Sequence, residues 1–432
     1  MRLAGFFVSA IFAPLYVRSA GFLCAGFGYP VRIMTTALQN IRVLDMSRVL
    51  AGPWAGQLLG DYGADVVKIE RPGHGDDTRQ WGPPWLGGES AYYLSTNRNK
   101  RSVTVDIATS GGQRLIRELA READVLLENF RVGTLERHNL DPHELMADNP
   151  RLIVCSISAF GQQGSRADKP GYDAMIQASG GLMSITGPPD SEGGGPQKVG
   201  VAIADIMAGM YATTAVLAAL TARATTGRGQ RIDVPLYDSQ VAWLANQNMN
   251  YLVGGEVPRR MGTAHPNLVP YQAFATSDGN LMLAVGNDRQ FRNCMEIVGM
   301  PDLGSDALYT NNAARIKNRT QLVTLLQERL RTNTTPFWLE AFAAGGVPAG
   351  PINDIGEVLS NEHARERELV RHLQNGAGDT VPTVSNPVAF DETPVHYERA
   401  PPLLGEHTDE VLREWLGYSA NMIAALRNDA AI

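Results

Sequence analysis

Residues 196–220, PQKVGVAIADIMAGMYATTAVLAAL, carry one charged side chain after Lys198, the carboxylate of Asp205. A run this rich in Ala and Met has no polar face to give to water, so it predicts a buried helix that other elements must enclose. A carboxylate at the mouth of such a helix is costly. An unpaired charge taken out of water costs several kcal/mol or binds a proton instead. Asp205 falls in the first turn, where the helix dipole favours an anion by about 0.3–1 kcal/mol. Taken alone it reads as an N-terminal cap or a core ion pair, or as a group kept there because chemistry uses it.

Around this run, short apolar strands alternate with helices. Strands are expected at residues 41–44, 65–69, 102–107, 125–127, 152–156 and 231–234, with helices over 54–62 and 111–122, the latter capped by Thr109 or Ser110. Strand–helix–strand repetition at this spacing implies a parallel sheet with crossover helices. The first turn, Ala51-Gly52-Pro53, lacks the glycine fingerprint that seats a dinucleotide pyrophosphate. The fold class is therefore α/β, with a Rossmann-like large domain that lacks the cofactor signature. After Pro258 the texture changes to a hairpin around residues 277–280 and helices over 288–299 and 318–332, a smaller α+β domain. The expected partition is a large domain over 34–225 completed by about 390–432, a linker at 226–261, a small domain at 262–365 and a return linker at 366–389. A length of 432 residues supports two domains.

Composition narrows the partners. The net charge of −7 gives no global basic field, so neither nucleic acid nor a membrane is an expected partner. Cys24, Cys155 and Cys294 lie far apart with no C-x-x-C spacing, which argues against zinc or a disulfide framework and for a reducing compartment. Residues 1–33 contain no Asp or Glu but do contain Arg2, Arg18 and Arg32. They read as an organelle presequence or as an extension ahead of a start at Met34, and are left out of the fold. The expected location is cytoplasmic, or the mitochondrial matrix if the presequence is genuine.

Several distinctive segments lie between residues 41 and 418: RVLAGPWAGQLLGDYGADVVKIERPGHGD (48–76), NRNKRS (97–102), DVLLENFRVGTLERHNL (124–140), PGYDAMIQASGGLMSITG (170–187), VAIADIMAGMY (201–211), TGRGQRIDVPLYDS (226–239) and PLLGEHTDEVL (402–412). With them the chain resembles the class III CoA-transferases, the formyl-CoA or carnitine CoA-transferase family. TRQWGPPW (78–85), ESAYYLSTNRNKRS (89–102), GTAHPNLVPYQAF (262–274) and GVPAGPIND (346–354) look closest to members acting on succinyl-CoA and glutarate.

The resemblance implies a CoA-transferase that moves CoA from succinyl-CoA to a dicarboxylic acid such as glutarate, or a relative with another carboxylic acid acceptor. By motif position Asp205 is the nucleophile, passing through an aspartyl anhydride and an aspartyl-CoA thioester. With a reference pKa near 3.9 it needs no separate base. Arg71, Asn129, Phe130, Arg137 and Tyr172 match residues that line the family's CoA channel. Arg98, beside Lys100 in NRNK, and His265 are candidates for holding a substrate carboxylate or are structural. The CoA thioester is a substrate, with no permanently bound cofactor and no metal, and the subunits form an interlocked homodimer.

Departures from the family are informative. HPNLVPYQ (265–272) stands where formyl-CoA transferase has a glycine-rich loop, which argues against oxalate and formyl-CoA as substrates. α-Methylacyl-CoA racemases place a histidine where this chain has Tyr172, and a neutral phenol is a poor base at pH 7. Asp173 beside it then reads as structural. A non-catalytic CoA-binding protein and a nicotinamide dehydrogenase are the remaining rivals.

Overall fold

The computed structural model describes residues 36–432, so the expectations for residues 1–33 lie outside the described residues. Strands β1 (Arg42–Asp45), β2 (Asp65–Glu70), β3 (Lys100–Thr104), β4 (Val125–Glu128), β5 (Ile153–Ser158) and β6 (Arg231–Pro235) form one six-stranded sheet. Their order is β3-β2-β1-β4-β5-β6, and every pairing is parallel. Parallel strands are covered on both faces, so both faces are apolar. Alternate residues divide accordingly. Leu44, Val67, Val103 and Leu126 point into one core, Val43, Val66, Val125 and Leu127 into the other. The strand order reverses between β1 and β4, the crevice where such sheets bind ligands.

Helix α1 (Ala51–Asp61) follows β1, and α2 (Ser110–Glu122) follows β3. Thr109 caps α2 by accepting the Gly112 N–H at 2.9 Å, as its sequence suggests. Further on lie α3 (Asp173–Ser179), α4 (Ile203–Thr226), α5 (Leu236–Trp243) and α6 (Asn246–Gly254). α1 and α4 share one core, where Ala51 and Ala55 meet Ala204, Ala208 and Ala212.

A smaller antiparallel sheet comprises β7 (Tyr271–Ala275), β8 (Asn280–Ala284) and β9 (Ala349–Pro351). With α7 (Asp288–Ile297), α8 (Arg319–Leu330) and α9 (Thr335–Ala344) it encloses a separate core around Phe274, Phe291, Leu326 and Trp338. A hairpin of β10 (Val370–Gln374) and β11 (Thr380–Val384) leads back to the large sheet. There α10 (Thr408–Leu416) and α11 (Ala420–Asn428) add Val411, Trp415 and Ile423 to the core that holds α2.

The C-terminal residues dock on the β3 edge through long-range hydrogen bonds. The Pro402 carbonyl accepts from Arg79 and Tyr93, the Gly405 N–H donates to Ser102, and the Trp415 indole N–H donates to Asp65.

Two expectations change. The large sheet reaches past the boundary set at residue 225, because β6 within the expected 226–261 linker pairs with β5 and α5 packs on α4. The long apolar helix is also buried on one face only: Met210 and Tyr211 of α4 are 41% and 40% exposed. It is long and apolar enough to cross a membrane by length and composition, yet its Ala-rich face packs on α1 and the sheet.

The α1–α4 contact is close at Gly209, where a Cβ would lie 2.6 Å from the Ala51 carbonyl oxygen and 3.1 Å from the Trp54 ring. Gly209→Ala is therefore expected to destabilise the fold by about 1–3 kcal/mol, as overpacking does. Chemical denaturation reads this as a lower midpoint; an unmoved midpoint would mean the helices have room to spare.

Candidate active site

Two adjoining cavities open at the carboxyl ends of the parallel strands. The outer one, about 730 Å³, is walled by segments following β1, β2, β3 and β4. The inner one, about 160 Å³, contains Asp205. Arg48, Asp77 and Phe130 line both, so the two make a single two-lobed groove. It sits at the crevice marked by the reversal of strand order.

Asp205 occupies the third position of α4, whose N-cap residue Ala202 offers no side-chain acceptor. Asp173, at the start of α3, does that work instead. One of its oxygens accepts the Ala204 N–H at 2.8 Å and the other accepts from the Gln177 amide at 2.7 Å. This is the structural role its sequence suggests.

Among the described residues the Asp205 carboxylate has no hydrogen bond and no ion pair. Burial, with the neighbouring charge of Asp173, pushes it up to about 7. The expectation of a carboxylate fully ionised at neutral pH is thereby corrected: the site holds it near its titration point. Tyr92 stands close by. Burial and the charges of Asp205 and Asp173 push its phenol up to about 12, and its ring meets the Trp81 ring edge-on at 5.2 Å.

The turn between β1 and α1 supplies the opposite wall through Arg48, Val49, Leu50 and Ala51. α1 has no side-chain cap, so the positive end of its dipole faces the groove. The turn after β4 supplies Asn129 and Phe130. The Asn129 amide clamps the Arg48 backbone, accepting its N–H at 2.8 Å and donating to its carbonyl at 2.6 Å. The Phe130 N–H donates to Glu128 at 2.9 Å, and the Arg48 guanidinium lies 5.6 Å from the Phe130 ring centre. Burial pushes the Glu128 carboxyl up to about 7, opposed by hydrogen bonds from Ser156 and Phe130.

Asp205, Tyr172, Asn129 and Phe130 thus meet in the inner cavity, while Arg71 lines the outer one. Three candidates fall elsewhere. Arg137 is exposed, lines neither cavity and donates to Thr134 at 2.9 Å; its neighbour His138 lines the outer cavity instead. Arg98 is buried and lines neither cavity, with four of its five N–H donors committed to a bidentate pair with Asp61 and to Thr383 and Val384. His265 belongs to the segment before β7, where its Nδ1 accepts the Asn267 N–H at 3.0 Å, and it lines neither cavity.

Arg48, Arg131 and Lys169 in the inner cavity, and His74 and His138 in the outer, were not anticipated. Their position on loops after parallel strands was the available signal.

The chain is similar to known proteins over most of its length. Residues 38–408 match CoA-transferase family III. The chain is 47% identical over 384 residues to the succinate–glutarate CoA-transferase of Agrobacterium fabrum, covering 87% of this chain and 95% of that protein. It is 42% identical over 389 residues to the succinyl-CoA:glutarate CoA-transferase of Homo sapiens, covering 90% and 88% respectively. A crystal structure of a CAIB/BAIF family protein from Brucella suis superposes with a TM-score of 0.79 at 44% identity, over 88% of this chain and all of that one.

Because the folded chain holds Asp205 near 7 and the unfolded chain near the ordinary aspartate value of about 3.9, the folded state binds the extra proton. Its contribution to stability is full at low pH and is lost as pH rises towards 7. Asp205→Asn removes that dependence. Its melting temperature relative to the native chain should rise between about pH 4 and 7 and level off above. A difference that stays flat over that range would show an unperturbed carboxylate.

Proposed function

The chain belongs to CoA-transferase family III, and from that premise we propose that it transfers CoA from succinyl-CoA to glutarate, with Asp205 as the temporary carrier. The observation that carries this reading is the placement of Asp205: a carboxylate with no partner among the described residues, at the smaller end of a groove whose larger end is lined by Arg71.

The Asp205 carboxylate attacks the thioester carbonyl of succinyl-CoA, the C–S bond breaks, and CoA thiolate leaves an aspartyl–succinyl anhydride. The thiolate attacks the aspartyl carbonyl, releasing succinate and forming the aspartyl-CoA thioester. A glutarate carboxylate then displaces the thiolate. The thiolate finally attacks the glutaryl carbonyl, giving glutaryl-CoA and restoring Asp205. Each step exchanges one acyl bond for another, so water must be kept out. The apolar wall of Leu50, Ile157 and Leu236 serves that need.

A carboxylate held near 7 is a better nucleophile than one at its ordinary value, and it is ionised in a useful fraction at neutral pH. The uncapped end of α1 lies against the same cavity and favours the negative charge that develops on the attacked carbonyl. Arg71 makes no ion pair among the described residues and suits the phosphates at the nucleotide end of CoA. Arg131 of the inner cavity suits a second substrate carboxylate, while Arg48 and Lys169 beside it are already paired with Asp77 and Asp168.

Among the described residues no histidine lines the inner cavity, and Tyr172 stands there instead, which favours transfer over racemisation, since a racemase needs a second proton-transfer group beside the aspartate. Cys155 and Cys294 are buried free thiols, in keeping with a reducing compartment such as the cytoplasm.

The partner we propose is a second copy of the chain, interlocked with the first. α6 buries none of its residues, and Met249, Leu252 and Val253 on it are 54%, 71% and 80% exposed, as is the outer face of α4. Apolar area on this scale marks an interface. Light scattering of the purified protein should give twice the chain mass; a monomer at micromolar concentration would exclude the interlocked form.

Asp205→Ala should lower kcat for succinyl-CoA plus glutarate by about 10³-fold or more, the loss seen when a nucleophile is deleted. Hydroxylamine added during turnover should convert Asp205 to a hydroxamate detectable by peptide mass. Turnover with no label at residue 205 would overturn the covalent route.

A further inference from the structure

Val49 sits at φ +70°, a left-handed conformation that brings its Cβ against the backbone and is rare for a β-branched residue. Such a conformation persists only where its surroundings impose it. Here the imposing group is a buried ion pair lying behind the turn. The Val49 N–H donates to both carboxylate oxygens of Asp76, at 3.2 and 3.3 Å. Asp76 also accepts from the Thr78 N–H at 3.0 Å and hydroxyl at 2.8 Å, and from the Lys68 ammonium at 2.8 Å. The other end of the pair grips the same turn, since Lys68 donates to the Ser47 carbonyl at 3.0 Å. Both side chains are 0% exposed, so although their residues bound the outer cavity, they present no charge to a ligand there.

A second buried pair steadies the turn from below. The Ser47 N–H donates to Asp45 at 3.0 Å, Asp45 accepts from Lys100 at 2.9 Å, and Lys100 donates to the Pro53 carbonyl in the first turn of α1 at 2.9 Å. The residues so held, from Arg48 to Ala51, form the wall of the inner cavity that contains Asp205. Neither Asp76 nor Lys68 reaches that cavity.

We propose that Asp76, through its pair with Lys68, is a positioning residue for CoA transfer: it holds Val49 in the left-handed region and thereby fixes the β1–α1 turn against Asp205. The proposal rests on the transferase reading above. Displacement of a reacting group's surroundings by about 1 Å costs on the order of 10²-fold in rate, so the effect belongs in kcat. Affinity for the CoA thioester depends on the outer cavity and should hardly move.

Asp76→Asn leaves Lys68 without its counter-charge and sets an amide against the Val49 N–H. The expected result, per cooperatively folded enzyme, is a fall in kcat of about 30–100-fold with KM for succinyl-CoA within about 3-fold. Asp76→Glu keeps the counter-charge but moves the carboxylate by one methylene, and should lower kcat in the same sense should the amide variant fail to fold. The deciding variant is the double Asp76→Asn, Val49→Gly. Glycine takes a positive φ without steric cost, so the turn re-forms without the carboxylate and kcat recovers several-fold over the single variant.

Three outcomes overturn the proposal: an unchanged kcat in both Asp76 variants, a rise in KM alone, or no recovery with glycine at 49. Absence of CoA transfer in the native enzyme would instead overturn the functional reading, which separates the two failures.

Discussion

Two helices that carry almost no side chain where they touch set the position of the whole site. α1 and α4 approach so closely that the Ala51 carbonyl occupies the space a Cβ on residue 209 would need. Ala51 and Ala55 on one side and Ala204, Ala208, Gly209 and Ala212 on the other permit that approach, with the Trp54 ring at its edge. The contact brings the start of α4, and so Asp205, beside the start of α1, with its unspent amides. The parallel sheet does the rest, because the turns after successive strands all emerge on the same side. Binding wall, nucleophile and dipole are therefore one consequence of packing rather than three separate provisions.

The electrostatics follow from that crowding. Asp205 is partly buried next to a second carboxylate, and Asp173 cannot be dispensed with because it supplies the cap that Ala202 lacks. The charge that anchors the helix is thus the charge that perturbs the nucleophile. Around them lies a set of buried ions from three neighbouring strands. Lys68 and Lys100 are 0% exposed and each is matched by an aspartate. Pairs of this kind add little net stability but fix geometry, because every alternative leaves a charge stranded.

Much of this was legible in the chain. The alternation of strands and helices gave a parallel sheet because its period is local, and the lone carboxylate of 196–220 stood out because nothing around it was polar. What escaped was non-local. Strand β6 was legible at 231–234, but the stretch that holds it and helices α5 and α6 read as a linker, since nothing local shows that this strand pairs with β5. Arg98 stayed open between a substrate ligand and a structural group because its partner Asp61 lies 37 residues away. The buried lysines offered a signal that went unused: Lys68, between Val67 and Ile69 in a strand covered on both faces, has nowhere to be except in a core. The raised pKa of Asp205 was hidden because it depends on how deeply the fold buries the group and on how closely Asp173 approaches.

The docking of the C-terminal segment on β3 carries a consequence for biosynthesis. Arg79 and Tyr93 find an acceptor in Pro402, and Asp61 receives the Asn386 amide across a separation of 325 residues. A nascent chain leaves the ribosome from its N-terminus, so for most of translation these groups wait in a half-built sheet without their partners. The edge at β3 stays open until residues 405–408 have emerged. The chain must therefore linger in a partly folded state whose polar interior is still hydrated, and closure comes as a late, long-range event rather than by stepwise growth.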